Sequence, residues 1–263
     1  MSSTFLYEIA IPSYNRADII RERTIKLLLK YSINPKRIRI FLETEAFKEE
    51  YVKSIGNDYN YTITGQKGIL ATRNFLRTYY HEEVDDCYKG VLFMDDDIES
   101  FSELIDNKIV PVKDFDTTLN YMFNTTKKLG FRLFAPSAYN NHFFMKDKVS
   151  TSLKYCIGAF QGLIIDKEKP YIHTCLSHFE DFLFTIEHFI EDGGVVRFEK
   201  YSIKTKYFEL QGGICGSMGG MANRQLDMTE NAKYMVENYP GMCSIKNKKW
   251  GADLRLNFRY KIL

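Results

Sequence analysis

Short apolar runs alternate with helix-like periodicities through the first hundred residues of the chain. Four runs predict strands, and the stretches between them carry apolar residues at three- and four-residue spacing, which predicts helices. The strands are predicted at residues 7–12, 38–42, 61–63 and 90–94, and the helices at 20–31, 47–55 and 68–80. Because strands that alternate with helices pair in parallel through right-handed crossovers, this order predicts an α/β fold with a doubly wound, Rossmann-like sheet.

The pattern is less regular after residue 100. Helices are predicted at 117–128 and 179–190, and strands at 133–135, 159–165 and 195–200. No internal repeat, low-complexity block or linker interrupts the chain. We therefore expect one domain over residues 1–263, with a mostly parallel first half (1–100) and a mixed second half (101–263), flanked by helices.

Composition narrows the class of protein. Hydrophobic residues make up 44% of the 263 and charged residues 27%, as in ordinary soluble globular proteins. No apolar stretch reaches the roughly 20 residues that span a bilayer, and no signal peptide precedes the first strand. Five scattered cysteines without a CxxC pair indicate reduced thiols, so we expect a cytoplasmic protein without membrane contact.

The run Gly90-Val91-Leu92-Phe93-Met94 leads directly into three aspartates. A short, uninterrupted apolar run is typical of a strand buried on both faces, and open α/β sheets bind ligands at the carboxyl ends of such strands. Alternate residues point the same way, so Asp95 and Asp97 can converge on one cation while Asp96 faces a neighbour. Hard oxygen ligands suit Mg²⁺ or Mn²⁺. The alternative is an acidic turn that caps a following helix.

Polar side chains also follow the other predicted strands of the first half. SYNR at 13–16 follows the first strand, Glu43 the second, and Arg73 and Asn74 open the third helix. Neither GxGxxG nor GxxxxGK[ST] is present, which argues against a glycine cradle for phosphates. We therefore expect a nucleotide site in which a metal holds the diphosphate.

These motifs together resemble a known family. IPSYNR at 11–16, Glu43, the G-x4-RN segment at 68–74 and the strand ending in DDD look like a GT-A glycosyltransferase, a fold that uses a nucleotide-sugar and a DxD-bound divalent cation. More narrowly, IPSYNRA, GILATRN and FMDDDI resemble the TET/JBP-associated glycosyltransferases. That group includes the base J glucosyltransferase and phage enzymes acting on hydroxymethylated pyrimidines in DNA. The resemblance covers roughly residues 5–215.

The resemblance implies a role for each matching residue. The first half would bind a UDP-sugar and the second half the acceptor. Asp95 and Asp97 would form the DxD site for Mn²⁺ or Mg²⁺, with Asp97 the direct ligand. The nucleotide-sugar would contact a set of residues around the strand ends: Pro12, Tyr14, Asn15, Arg16, Glu43, Arg73, Asn74, Asp95 and Asp96. For Arg73 and Asn74, a capping and salt-bridging pair at a helix start is an equal alternative.

The pair Glu180-Asp181 opens a later amphipathic helix. Inverting GT-A enzymes place a catalytic carboxylate at such a pair, which implies Asp181 as the general base that takes the acceptor's proton. The alternative is two acids favoured by the positive end of the helix dipole. The late histidine that often completes the metal site in this fold is missing, and Ser217, Asn223 or Asp227 could replace it. The glycine-rich stretch 211–220 could be a lid over the donor, or a surface loop.

The C-terminal stretch mixes cations with aromatic residues. Phosphates pair with cations and exposed bases stack on aromatic rings, so this stretch has the composition of a DNA contact. The candidate residues are Lys246, Lys248, Lys249, Trp250, Arg255 and Arg259. A solvated edge strand is the alternative, and a net charge of only +2 counts against a dedicated DNA-binding protein.

The sequence therefore favours a metal-dependent, inverting hexosyltransferase that uses a UDP-sugar. The expected acceptor is a 5-hydroxymethylpyrimidine in DNA. If the gene belongs to a phage, we expect the protein in the cytoplasm of the host cell. One alternative keeps the fold and changes the acceptor to a surface glycan or a lipid-linked sugar. A sugar-phosphate nucleotidyltransferase would need a glycine-rich loop, which residues 13–17 lack. A non-catalytic DNA-binding protein is the last alternative.

Overall fold

A computed structural model describes residues 4–82, 89–205, 221–248 and 251–262. Its strands are β1 (Tyr7–Pro12), β2 (Ile38–Leu42), β3 (Asn60–Ile63), β4 (Gly90–Met94), β5 (Ile98–Ile105), β6 (Lys108–Pro111), β7 (Leu133–Ser137), β8 (Val149–Ser150), β9 (Phe160–Ile164), β10 (Val196–Thr205), β11 (Cys243–Lys248) and β12 (Gly251–Leu256).

The helices lie between these strands. Helix α1 begins with Ala17–Ile20, continues through a π-helical segment, Arg21–Ile25, and ends with Lys26–Lys30. A short 3₁₀ turn, Pro35–Arg37, precedes β2. The remaining helices are α2 (Glu45–Ile55), α3 (Ile69–Glu82), α4 (Phe115–Lys128), α5 (Glu180–Asp192) and α6 (Met221–Asn238).

One mixed sheet forms the centre of the protein, in the strand order β3-β2-β1-β4-β9-β7-β10-β5-β6, with β8 pairing with β10. The first four of these strands pair in parallel. Strand β9 runs antiparallel to both β4 and β7, and β10 is parallel to β7. The carboxyl ends of β1, β4, β7 and β10 therefore lie at one edge. The predicted α/β fold, with a regular first half and a mixed second half, is confirmed.

The hairpin of β5 and β6 is absent from the predicted elements. Polar residues interrupt the apolar ones in β5, whose Ile98 and Phe101 are buried, so neither a continuous apolar run nor a strict alternation marks it. Its turn residues, Asp106 and Asn107, both have positive φ (48° and 61°), which suits a two-residue hairpin turn. Helix α6 and the separate hairpin of β11 and β12 are also absent from the predicted elements.

The π-helical segment of α1 fastens that helix to the acidic turn after β4. Thr24 is fully buried within it, and its hydroxyl donates to the carbonyl of Asp95 at 2.7 Å and accepts from the amide of Ile98 at 2.9 Å. Both bonds satisfy backbone groups at the two ends of the acidic turn. The three aspartates are thus held on a turn that is fixed on both sides.

No helix in the described part of the chain is both long enough and apolar enough to cross a membrane.

His188 lies on the buried face of α5, with Nδ1 donating to the carbonyl of Phe184. Burial, together with the nearby Arg132, lowers its pKa to about 3. Between pH 6.5 and 3 the unfolded chain binds a proton that the folded chain excludes, so stability is lost as the pH falls through this window.

We therefore expect His188→Asn, which keeps a donor for Phe184, to reduce this acid sensitivity. The free energy of unfolding of the variant, relative to wild type, should rise by about 2 kcal/mol between pH 7 and pH 5. Urea titrations at both pH values measure the difference. His142→Asn, at an exposed loop position, is the matched control. If the free energies of unfolding of wild type and His188→Asn fell by the same amount between pH 7 and pH 5, the lowered pKa of His188 would be contradicted.

Candidate active site

Each of the three aspartates after β4 bonds a different part of the protein. Asp95 accepts from Nη2 of Arg73 at 2.9 Å. Asp96 accepts from Oγ of Ser13 at 2.5 Å and from Nη1 of Arg16 at 3.2 Å. Asp97 accepts from the hydroxyl of Thr205, at the end of β10, at 2.6 Å. Strand β5 follows the turn, so the alternative of an acidic turn that caps a helix is wrong.

Burial makes this turn unfavourable for negative charge. It raises the pKa of Asp95 to about 7, with Arg73 opposing the shift and Asp97 and Asp96 adding to it. Burial likewise raises the pKa of Asp96 to about 6, against the opposing effects of Arg16 and Ser13. A cation beside the turn would stabilise the charged carboxylates.

Arg73 joins this turn to the start of α5. Its Nη2 donates to Asp95, its Nη1 donates to Oε1 of Glu180, and its side chain is 13% exposed. Nη2 of Arg77, one turn further along α3, donates to the other oxygen of Glu180 at 2.7 Å. Burial alone would raise the pKa of Glu180, but the two guanidinium groups lower it below its usual value. Glu180 is therefore a buried anion that fixes two cations.

Asp181 has a different environment from its neighbour. Its Oδ2 accepts from the hydroxyl of Tyr155 and from the amide of Gly158 at 3.2 Å. Burial raises its pKa, and the charge of Glu180 raises it further. A carboxylate held by hydrogen bonds, with a raised affinity for protons, is suited to accept a proton from a substrate.

Gly158 lets these groups approach one another. A Cβ at this position would overlap Nη1 of Arg73 and would lie 2.9 Å from the Cβ of Asp181. The same glycine lines a small cavity with Pro12, Arg73 and Asp95. Glycine is thus required here for the close approach of backbone to side chains.

Some of the residues predicted to contact a nucleotide are exposed, and others are bonded to side chains or backbone groups of the protein. Tyr14 is 39% exposed and packs edge-to-face on Phe47, and Asn15 is exposed with φ of 50°. Oε2 of Glu43 is buried without a hydrogen bond to any described residue. Asn74 is engaged within the protein instead.

The amide of Asn74 bonds both the carbonyl and the amide of Thr174, and it accepts from Arg77. Asn74 lies inside α3, so these contacts join the helix to the segment at Thr174 and do not cap a helix start. Pro12 is buried, and Arg16 and Arg73 both contact the acidic turn.

The described candidate DNA-contacting residues lie on the β11–β12 hairpin or directly after it. Lys246 and Arg255 are exposed on the β11–β12 hairpin, and Lys248 pairs with Asp253. Arg259 lies over the ring of Phe258, 5.6 Å from its centroid. Lys249 and Trp250 lie outside the described residues, as do Ser217, the glycine-rich stretch 211–220 and the side chain of Asn223.

Several residues of the cluster were missed from the sequence: Thr24, Arg77, Tyr155, Gly158 and Thr205. Arg77 follows Arg73 by four positions, the spacing that places two side chains on one face of a helix, so that pair was open to prediction. Tyr155 and Gly158 precede a strand that runs in the opposite direction to β4, and no local motif marks them.

The donor set at the acidic turn fits a divalent cation. Within the described ranges, no three His, Cys, Asp or Glu side chains form a ready-made metal cage. Mg²⁺ and similar ions are commonly held by one or two carboxylates together with the phosphates of a substrate. Asp95 and Asp97 supply such carboxylates, and burial raises the pKa of Asp95 despite its bond to Arg73.

No protein-family model and no curated protein matches the chain. Solved structures do align with it. Glucosyl-3-phosphoglycerate synthase from Mycobacterium tuberculosis, in complex with Mn²⁺, UDP and phosphoglyceric acid, is 9% identical over 98% of this chain and 88% of that chain, with a TM-score of 0.46.

The galactosyltransferase LgtC, in complex with donor and acceptor sugar analogues, is 16% identical over 72% of each chain, with a TM-score of 0.41. A putative nucleotide-diphospho-sugar transferase from Desulfovibrio desulfuricans is 9% identical over 73% of this chain and 78% of that chain, with a TM-score of 0.39. None of these three structures is described as a DNA-modifying enzyme. At these identities and scores, the likeness assigns no activity to this chain.

The contrast between Glu180 and Asp181 yields a prediction about stability at pH 7. Glu180→Gln removes the charge that two buried guanidinium groups share and should lower the free energy of unfolding by about 3–5 kcal/mol. Asp181→Asn should cost far less, because burial disfavours the charge and an amide oxygen can still accept from Tyr155 and Gly158, so that only the bond from the amide of Phe182 is lost.

Guanidinium chloride titrations of the two adjacent variants test this. Equal losses of stability would show that the two carboxylates are not electrostatically distinct.

Proposed function

We propose that the protein is a metal-dependent GT-A glycosyltransferase that moves a hexose from a UDP-sugar to a hydroxyl group. One observation carries the proposal: Arg73 contacts both Asp95, on the acidic turn, and Glu180, the neighbour of Asp181. A carboxylate turn suited to a metal-bound diphosphate and a carboxylate suited to proton transfer are thereby held side by side. These are the two chemical functions that glycosyl transfer needs.

The donor would lie against the carboxyl ends of β1, β2 and β4. The exposed ring of Tyr14 is available to a base, and the Glu43 oxygen that bonds no described residue is available to a ribose. Asp95 and Asp97 would hold Mn²⁺ or Mg²⁺. When bound, such an ion neutralises charge on the departing diphosphate.

Asp181 would act as the general base. It takes the proton from the acceptor hydroxyl as that oxygen forms its bond to the anomeric carbon, and the bond from that carbon to the diphosphate breaks, releasing UDP. The amide of Gly158 and the hydroxyl of Tyr155 orient the carboxylate. Attack on the face opposite the leaving group makes the transfer inverting.

The acceptor we propose is the hydroxyl of a 5-hydroxymethylpyrimidine in DNA, as the motif resemblance implies. An exposed aromatic loop after β7 supports a nucleic-acid acceptor: Tyr139, Phe143 and Phe144 are 59%, 77% and 60% exposed. The carboxyl end of β7 lies at the same edge of the sheet as the acidic turn. Exposed Lys146 and Lys148 follow these rings, and such a mixture of rings and cations suits an unstacked base and its phosphates. A base in a duplex would have to be flipped out.

A transfer assay tests the proposal. Radiolabelled UDP-glucose, UDP-galactose and UDP-N-acetylglucosamine are incubated with Mn²⁺ and either 5-hydroxymethylpyrimidine DNA or unmodified DNA. We expect label only on the modified DNA. Metal-dependent hydrolysis of a UDP-sugar without labelled DNA would keep the transferase and replace the acceptor, for example by a glycan. The absence of both reactions with all three donors would overturn the proposal.

The metal assignment yields a prediction about donor binding. Asp97→Asn should weaken Mn²⁺-dependent binding of UDP by at least about tenfold, because an amide is a poorer ligand for a hard cation. Calorimetry with and without Mn²⁺ measures the change. Asp106→Asn, in the exposed hairpin turn where asparagine tolerates positive φ, is the control. Unchanged affinity in Asp97→Asn would remove Asp97 from the metal site.

The assignment of the base yields a prediction about turnover. Asp181→Asn should leave UDP affinity unchanged while kcat falls by about 10²- to 10⁴-fold. Because burial raises the pKa of Asp181, the kcat of the wild-type enzyme should fall toward acid pH, with an apparent pKa above that of an ordinary aspartate. The residual kcat of the variant should not show this fall. A near-normal rate in a folded variant would exclude Asp181 as the base.

A further inference from the structure

His178 and Asp227 form a hydrogen-bonded pair near the acidic residues of α5. Nδ1 of His178 lies 2.5 Å from Oδ2 of Asp227. The side chain of His178 is only 8% exposed, and its Nε2 is buried without a hydrogen bond to any described residue. A buried polar atom left unpaired costs stability, and such exceptions in native structures mark groups that await a partner.

The surroundings of Asp227 determine which nitrogen carries the proton. A carboxylate only accepts, so Nδ1 donates its hydrogen to Asp227, and in this tautomer Nε2 is an acceptor. The hydroxyl of Ser177 donates to the same Oδ2 at 2.5 Å, and Asn231 donates to Ser177 at 3.1 Å. The imidazole is thus held in one tautomer and one orientation, and its free nitrogen matches a hydroxyl donor.

The backbone between His178 and Glu180 is strained. Phe179 adopts φ of 61° and ψ of 21°, a left-handed conformation that bulky residues rarely adopt. Strain of this kind persists when contacts on both sides fix the chain, and it gathers at binding sites. Here the bond of His178 to Asp227 lies on one side and the bonds of Glu180 to Arg73 and Arg77 on the other.

The segment that carries His178 is attached to the donor side of the site. Thr174 bonds Asn74 and Arg77 of α3, the helix whose Arg73 contacts Asp95. Asp181 instead bonds Gly158 and Tyr155. His178 lies between this attachment and Glu180, which bonds Arg73 and Arg77.

We infer that Nε2 of His178 accepts a hydrogen bond from a ring hydroxyl of the hexose in the UDP-sugar, with Asp227 as its positioning residue. This inference rests on the proposed function. The contact fixes the orientation of the sugar relative to Asp181. It also selects against donors that lack the hydroxyl, because a buried acceptor would then stay unpaired.

The test compares binding of UDP with binding of a UDP-hexose. Calorimetry with Mn²⁺ first identifies which of UDP-glucose, UDP-galactose and UDP-N-acetylglucosamine binds wild type most tightly. His178→Asn keeps an amide donor for Asp227 and removes the acceptor at the Nε2 position. We expect it to bind that UDP-hexose about tenfold more weakly and UDP unchanged.

Two further variants separate the contact from a structural role. His178→Gln, whose amide oxygen can reach the Nε2 position, should retain most of the affinity for the UDP-hexose. Asp227→Ala removes the acceptor of the Nδ1 hydrogen, so the ring is no longer held with Nε2 as its acceptor, and hexose binding should weaken as it does in His178→Asn. It also serves as the test if His178→Asn fails to fold, as monitored by thermal melting.

Each outcome has a distinct meaning. Unchanged hexose binding in folded His178→Asn, or equal losses for UDP and the UDP-hexose, would overturn the hydroxyl contact. If wild type bound UDP and bound none of the three UDP-hexoses more tightly, the hydroxyl contact would be overturned and the nucleotide site would remain. A wild-type protein that binds neither UDP nor a UDP-hexose would overturn the proposed function and this inference together.

Discussion

The arrangement of the site depends on one buried guanidinium. Arg73 is surrounded by carboxylates: it bonds Asp95 and Glu180, and Asp181 adds to the field around it. Burial alone would lower its pKa, but these three charges hold the pKa above its usual value. A buried charge is tolerated only with such partners, so the acidic turn and the start of α5 must both lie where Arg73 can reach them.

The direction of the strands explains how two distant parts of the chain meet at this residue. Strands β1 and β4 deliver the polar residues that follow them, as in any open parallel sheet. Strand β9 is inserted in the opposite direction beside β4, so the residues that precede it, including Tyr155 and Gly158, reach the same edge. Reversing one strand lets the second half of the chain contribute to a site that the first half begins.

The first half of the sheet could be predicted because its strands are buried on both faces and read as apolar runs. The acidic residues Asp95, Asp97 and Asp181 could be singled out because each follows or opens a regular element. The partners that give these acids their properties could not be predicted. The bonds of Arg73 to Asp95 and Glu180, and of Asp227 to His178, join residues far apart in sequence. The hairpin of β5 and β6 was missed because polar residues interrupt the apolar ones in β5.

The π-helical segment of α1 has a consequence for how the gene can change. Removing one residue from Arg21–Ile25 would restore regular α-helical pairing, but it would rotate one end of the helix against the other by about 100°. Thr24 would then leave the carbonyl of Asp95 and the amide of Ile98. Side chains on the solvent face of this segment are free to vary, whereas insertions and deletions are not. The length of the chain between β1 and the end of α1 is therefore part of the site, even where the identity of its residues is not.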